Sequence, residues 1–238
     1  MKCFSLIIPV HNEGKVLEEN ARALSRYLST LPGMDSEVLL SCNGCTDDSE
    51  EIAARLAEED RRIRHLSLKA RGLGAAIKEA SGHARHEMLM FYAIDLPFGL
   101  SIIGESIEAS LKNGDAVVVG SKGHRDSVVE RGIARQLFSG TISFLNNLFF
   151  GLGVKDTQGS ILFYKDALKK YGAYMDSPGA FFQAQILIYS KLCGRPLMEI
   201  PVKLEEEPRK TRFRLANDGF NYLKAILREK RKLRGIGR

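Results

Sequence analysis

The chain has 238 residues, 44% hydrophobic and 27% charged, with a net charge of +6 and a sequence pI near 9.1. That length suits one large α/β domain, and no stretch approaches the roughly 18–20 continuous apolar residues that span a bilayer. Four cysteines are too few for a disulfide framework, so free thiols in a reducing cytosol are the default reading.

Met1-Lys2-Cys3 leads straight into a strand pattern, and no cleavable leader is read before it. Residues 3–9 predict a buried strand: Leu6, Ile7 and Ile8 form an apolar run, and Pro9 cannot donate to a ladder and stops it. Residues 14–30 carry Val16, Leu17, Ala21, Leu24 and Leu28 at helical spacing. Pro32-Gly33 breaks the chain before a second strand, Glu37 to Leu40. Thr46 and Asp47 cap a helix holding Ile52, Ala53 and Leu56. Ile63 to Leu68 predicts a short strand, followed by a glycine turn and a helix over 73–84. Met88 to Ile94 reads as another buried strand, 101–112 as a helix and Ala116 to Val119 as a strand. Repeated strand–helix units imply a mostly parallel, twisted sheet flanked by helices.

The second half changes character. Residues 128–150 form a long apolar-rich segment, predicted helical, with Ile142, Phe144, Leu148, Phe149 and Phe150. Core packing is the favoured role, with a lipid-facing side as the alternative. Strands are predicted at 160–164 and 198–204, and a helix at 179–192. Residues 205–212 are charged, and a last helix over 213–232 carries Phe213, Phe220, Leu223, Ile226 and Leu227 along one side. This divides the chain into a domain over 1–212 and a C-terminal amphipathic basic helix and tail over 213–238.

The positive charge concentrates late. Arg209, Lys210, Arg212 and Arg214 precede the last helix, and Arg228, Lys230, Arg231, Lys232, Arg234 and Arg238 crowd its end. A solvated helix terminus is one reading, since cations suit that end of the dipole. Phosphates or an anionic membrane surface are the functional ones. Nucleic acid is not expected, because no aromatic-interleaved basic patch or reader motif accompanies the charge.

In an open α/β sheet, ligands bind beyond the carboxyl ends of the strands. Pro9, His11, Asn12 and Glu13 follow the first strand there, and suit a base and a ribose. The second strand ends in Cys42-Asn43-Gly44-Cys45-Thr46-Asp47, where Asn43 is placed for the edge of a uracil or guanine and Gly44 for a tight turn. The same residues also describe a plain strand-to-helix turn. Cys42 and Cys45 invite a redox or zinc reading, but no second cysteine pair and no thioredoxin-like unit accompany them. The turn Arg71-Gly72-Leu73-Gly74 opens a helix; its glycines permit close backbone approach, and Lys69 or Arg71 can meet a phosphate. Further on stand Asp95, the run Gly120-Ser121-Lys122, and Asp156-Thr157-Gln158-Gly159-Ser160. Asp95 and Asp156 also read as simple turn caps.

In this order the motifs resemble glycosyltransferase family 2, and within it the dolichyl-phosphate mannose and glucose synthases, over roughly residues 4–230. Pro9 to Glu13 is similar to the family's Pro-x-Tyr-Asn-Glu, with His11 for Tyr. Arg71 to Ala76 is similar to Lys/Arg-Gly-x-Gly-x-Ala. Gly120 to Lys122 is similar to Gly-Ser-Arg, and Asp156 to Gln158 to Asp-Thr-Gln. The resemblance implies a GT-A-like fold and inverting transfer of a hexose from a UDP- or GDP-sugar to a polyprenyl phosphate. It implies that Pro9, His11, Glu13, Asn43, Arg71, Gly74 and Asp95 hold the nucleotide sugar. Asp95, Asp156, Gln158 and Arg212 take the catalytic positions, and Lys122 and Arg131 the acceptor phosphate. The family's Asp-x-Asp, which binds a divalent metal, is reduced here to Ala93-Ile94-Asp95. Mg²⁺ or Mn²⁺ would therefore rest on Asp95 alone, with waters and phosphate oxygens completing its shell. Gln183 and Gln185 also replace the family's usual acids.

The implied setting is cytoplasmic: a peripheral protein on the cytosolic membrane face, reaching its lipid through the last helix and residues 136–150, or through a membrane subunit. Two other readings stay open: a catalytically weak nucleotide-sugar-binding relative, and a transferase with a soluble polysaccharide or protein acceptor.

Overall fold

The structure is a computed structural model that describes residues 2–130, 133–204 and 215–236; of 133–137, 215–218 and 220 it gives the secondary structure alone. Strand β1 (Lys2–Val10) lies between β2 (Met34–Asn43) and β4 (Met88–Phe91), parallel to both. Its apolar run is buried on both faces, as a central parallel strand requires. Strand β3 (Ile63–Leu68) extends the sheet on one side, and β7 (Ser160–Tyr164), β5 (Val117–Ser121) and β8 (Leu197–Pro201) on the other, in the order β3-β2-β1-β4-β7-β5-β8. Only β7 runs against its neighbours, so the mostly parallel sheet predicted from the repeats is observed.

Two apolar clusters cover the faces. Helices α1 (Gly14–Ser29), α2 (Ser49–Glu59) and α4 (Ser101–Lys112) pack on one, where Leu17, Leu24, Ala53, Leu56 and Ile103 meet Leu6, Ile8 and Leu40. Helices α3 (Leu73–His83), α5 (Ile133–Phe150), α6 (Asp166–Tyr171), α7 (Phe181–Leu192) and α8 (Leu215–Ile236) are on the other, centred on Ile7, Leu39, Phe163 and Phe182.

The predicted final strand over 198–204 divides in two. Pro201 cannot continue the ladder. After Val202 the chain forms β9 (Lys203–Leu204), which pairs with β6 (Val128–Val129) in a separate small sheet. Strand β4 ends earlier than predicted. Tyr92 donates a last backbone bond to Ile7 (3.1 Å), and a turn closed by Leu96 N–H on Ala93 O then carries the chain away. The apolar stripe of the last helix splits as well: Tyr222 and Ile226 are buried, whereas Leu223 and Leu227 face outward. The 212/213 boundary and Phe213, Phe220, Arg209, Lys210, Arg212 and Arg214 lie outside the residues, or side chains, described.

Candidate active site

Parallel order brings the carboxyl ends of β1, β2, β3, β4 and β5 to one edge of the sheet. Because β7 is antiparallel, the segment 155–159 arrives at that edge from its amino end. His11, Asn43, Arg71, Asp95, Lys122, Asp156 and Gln158 are thereby collected from far-apart stretches of chain. Ile7 pairs with Phe91, so His11 and Asp95 each stand four residues beyond one rung of the ladder.

The first two loops are bound to each other. His11 Nδ1–H donates to Asn43 O (2.9 Å), which sets the ring's tautomer and orientation. Asn12, at φ +57°, accepts from Thr46 N–H (2.7 Å), and Asp47 accepts from the N–H of Gly14 and of Ser49. Asp47 thus serves the starts of both α1 and α2. Asn43 itself departs from the sequence reading. It is buried; its amide nitrogen donates to Val10 O (2.8 Å) and its oxygen accepts from Gly72 N–H (3.0 Å). Its amide therefore fastens three loops together instead of offering an edge to a base. Burial pushes the Cys42 thiol up, and Cys45 Sγ donates to Val10 O.

The glycine turn is corrected in the same way. At Gly44, with φ +61°, a Cβ would stand 2.7 Å from Arg71 N, so only glycine lets the second and third loops touch. At Gly74 a Cβ would stand 2.2 Å from Ser177 O and 2.6 Å from Phe182 Cβ. Gly74 N–H donates to Pro178 O (2.8 Å). The close approach predicted for a ligand is made instead with the protein's own 177–179 loop, which covers the start of α3. Arg71 stays exposed at its rim.

Asp95 sits half-buried in a loop braced by Tyr92, whose hydroxyl accepts from Phe98 N–H (2.9 Å) and donates to Gly99 O (2.8 Å). Among the described residues Asp95 belongs to no group of three metal-ligating side chains. This donor set fits a Mg²⁺ or Mn²⁺ that takes one protein carboxylate and fills its shell from water and a diphosphate.

Lys122 and Asp156 form a buried ion pair at the same edge. Their ion pair is 2.8 Å long, with side chains only 15% and 4% exposed. Asp156 also accepts from Lys122 N–H (3.1 Å) and Gln158 N–H (2.8 Å). Burial pushes its carboxyl up, but the Lys122 ammonium and these N–H groups outweigh burial and hold it below the usual carboxylate range. Glu199 on β8 accepts from the N–H groups of Lys155 and Asp156, and the Lys122 ammonium lies 5.4 Å from the Phe98 ring centre. Sequence reading missed Glu199; its one signal is an acid inside the apolar run Leu197 to Ile200.

Lys122 and Asp156 line a cavity of about 300 Å³, while Gln158 stands in the wall of a separate one of about 700 Å³ that runs to the seam between α5 and α8. Arg71 and Gln158 stand in its wall with Phe138, Ile142, Phe181 and Tyr222. Asn146, buried on α5, donates to Thr157 (2.7 Å) and to Tyr222 (2.9 Å), so α8 is tied to the 156–158 segment. The two amides that replace acids have partners that need them. Gln183 donates to Gly159 O (3.2 Å), and Gln185 donates to the buried carboxylate of Glu229 on α8 (2.8 Å). Sequence inspection had no way to pair Gln185 with Glu229. Arg131 and Arg212 lie outside the described residues.

The chain belongs to glycosyl transferase family 2, whose model matches residues 5–172. It is 30% identical over 204 residues to glycosyltransferase AglD of Haloferax volcanii, covering 84% of this chain and 33% of that protein. It is 26% identical over 223 residues to the dolichyl-phosphate beta-glucosyltransferase of Saccharomyces cerevisiae, covering 85% and 66%. The matched region thus spans about one third to two thirds of these relatives. Among solved structures, glucosyl-3-phosphoglycerate synthase from Mycobacterium tuberculosis with UDP superposes with a TM-score of 0.68 at 15% identity, over 96% of this chain and 80% of that one. Further structures of that enzyme hold Mn²⁺ or Mg²⁺ with UDP. The fold is therefore GT-A.

Proposed function

We propose that this chain moves a hexose from a UDP- or GDP-sugar to a polyprenyl phosphate with inversion. The relatives named dolichyl-phosphate beta-glucosyltransferases support this acceptor class. The observation that carries it is the cavity whose wall joins Phe138, Ile142, Phe181 and Tyr222 to Arg71, Gln158 and Arg228, its two carboxylates, Asp176 and Glu229, being paired with Arg228 and Lys232. Such a space suits a phosphate carried on an apolar chain better than a free sugar.

In this reading an acceptor phosphate oxygen attacks the anomeric carbon from the side opposite the diphosphate. The carbon–oxygen bond to the diphosphate breaks, and the nucleoside diphosphate leaves with the electron pair. The acceptor is already an anion, so no strong base is required, which agrees with amides at Gln183 and Gln185. Pro9, His11 and Glu13 border the nucleoside, with Asn43 holding their loop and Arg71 offering charge. Asp95 would hold Mg²⁺ or Mn²⁺, which would supply charge to the leaving diphosphate, and Arg212 is the proposed cation for the same group. Lys122 and Arg131 would meet the acceptor phosphate, and Asp156 and Gln158 would position Lys122 and the sugar.

The acceptor is lipid-borne, so the protein would work as a peripheral protein on the cytosolic membrane face. No helix among the described residues is long and apolar enough to cross a membrane. Phe144 (65% exposed), Leu148 (64%), Leu223 and Leu227 face outward from α5 and α8 beside Lys224, Arg228 and Arg231. That pattern suits an anionic bilayer surface. Liposome flotation should retain the chain on anionic vesicles at low salt and release a Phe144→Ser, Leu148→Ser variant.

Incubation with UDP-glucose or GDP-mannose, polyprenyl phosphate and Mg²⁺ should yield glycosyl lipid. Turnover only with a water-soluble acceptor, or sugar-nucleotide binding without any turnover, would overturn this function.

A further inference from the structure

At the edge of the sheet opposite the catalytic loops, three different metal-ligating side chains converge. Cys3 on β1 and Asp35 on β2 are register partners in adjacent parallel strands, so their side chains leave the same face. His86 precedes β4, the neighbour of β1 on its other side. A thiol sulfur, a carboxylate oxygen and an imidazole nitrogen thus lie within 4.8 Å of one another.

The row beneath them holds this arrangement in place. Ser5 donates to the buried carboxylate of Glu37 (2.7 Å), Arg85 N–H donates to the same oxygen (2.6 Å), and His86 N–H donates to Ser5 Oγ (3.3 Å). The backbone of 85–86 is therefore fixed on the sheet face that carries Cys3 and Asp35. His86 Nε2 lies 3.9 Å from Asp35 Oδ2, too long for a hydrogen bond. Ligands of a tetrahedral zinc ion, with bonds of about 2.0–2.3 Å, are separated by about 3.5 Å. Closing from 4.8 Å requires only side-chain rotation at the exposed Cys3 and Asp35.

We propose that Cys3, Asp35 and His86 form a second metal site, for Zn²⁺ or another thiophilic divalent ion, with water in the fourth position. The donors exclude the metal of the sugar-transfer site by their chemistry. Mg²⁺ demands oxygen ligands in octahedral geometry, whereas a thiolate and an imidazole select zinc. The site staples the starting ends of β2, β1 and β4, the three strands whose other ends carry Asn43, His11 and Asp95. Its ion adds stability to the fold without touching substrate, because binding to the folded state alone shifts unfolding by mass action.

Cobalt(II) titration of the full chain tests this site. One equivalent should give a near-ultraviolet thiolate-to-cobalt band and tetrahedral visible bands, which excess Zn²⁺ removes and excess Mg²⁺ does not. Cys3→Ser should abolish the thiolate band, and His86→Ala should weaken cobalt binding about tenfold or more. Zn²⁺ should raise the melting temperature of the parent chain and not of His86→Ala. Absence of the thiolate band, or its persistence in Cys3→Ser, would overturn the site. Both readouts are independent of sugar transfer, so the proposal stands or fails separately from the transferase reading.

Discussion

Replacing Asp156 by Asn tests the claim that one buried ion pair organises the Lys122 and 156–158 segments. The carboxylate meets the Lys122 ammonium at 2.8 Å and two backbone N–H groups, with little water access to either side chain. Asparagine keeps the shape but removes the charge, which leaves the ammonium in a poorly solvated place. Removing one member of such a pair costs about 3–5 kcal/mol, a large part of the roughly 5–15 kcal/mol typical of a domain. Lys122→Met strands the carboxylate and should cost a similar amount. The double variant should cost less than either single one, because the penalty of the unpaired partner disappears. Urea unfolding near pH 7 measures all three. The sign with pH follows from the lowered folded value of Asp156. Its stabilisation is complete above the unfolded carboxylate value of about 3.9 and is lost as pH falls through the lower, folded value. The gap between parent and Asp156→Asn should therefore be full near neutrality and close in acid. Single variants that add independently, or an Asp156→Asn loss below about 1 kcal/mol, would refute the buried-pair account.

Asp95→Ala should lower transfer about hundredfold or more while leaving the urea midpoint in place, as the proposed role of its carboxylate at the diphosphate requires. Chelation of divalent ions should abolish transfer, and Mg²⁺ or Mn²⁺ should restore it; full activity after chelation would remove the metal from the reaction. Gly74→Ala drives a Cβ into Ser177 O and Phe182 and should destabilise by about 1–3 kcal/mol in thermal unfolding. Gln185→Glu sets a second carboxylate against buried Glu229. Repulsion raises the folded pKa of the new group, so its stability deficit should be small in acid and widen as pH rises; equal deficits at both ends of the range would refute that contact.

The candidate edge was legible because strand ends are local signals. An apolar run, Pro9 at its close and a polar cluster after it place His11 and Glu13 without knowledge of any neighbour. Strand β3 and helix α4 appear with the bounds their residue patterns predict. The motifs around His11, Asn43, Asp95 and Lys122 reach one edge because parallel strands deliver their carboxyl ends there, and the 155–159 segment joins them from the amino end of antiparallel β7.

What each residue does at that edge was settled by partners distant in the chain. Asn43 turned inward because Gly72, 29 residues on, gave its oxygen a donor. Gly74 met the 177–179 loop, and Gln185 met Glu229 across the seam of α7 and α8. The split of Tyr222 and Ile226 from Leu223 and Leu227 depended on how α8 lies against α5. Sequence alone determined which segments become strands and helices and which chemistry stands after them, while some strand ends, as at β4 and β8, moved by a few residues. Only the tertiary structure decided which of those polar groups face a ligand and which satisfy the protein's own buried donors and acceptors, because hydrogen-bond partners in a sheet are chosen by strand order.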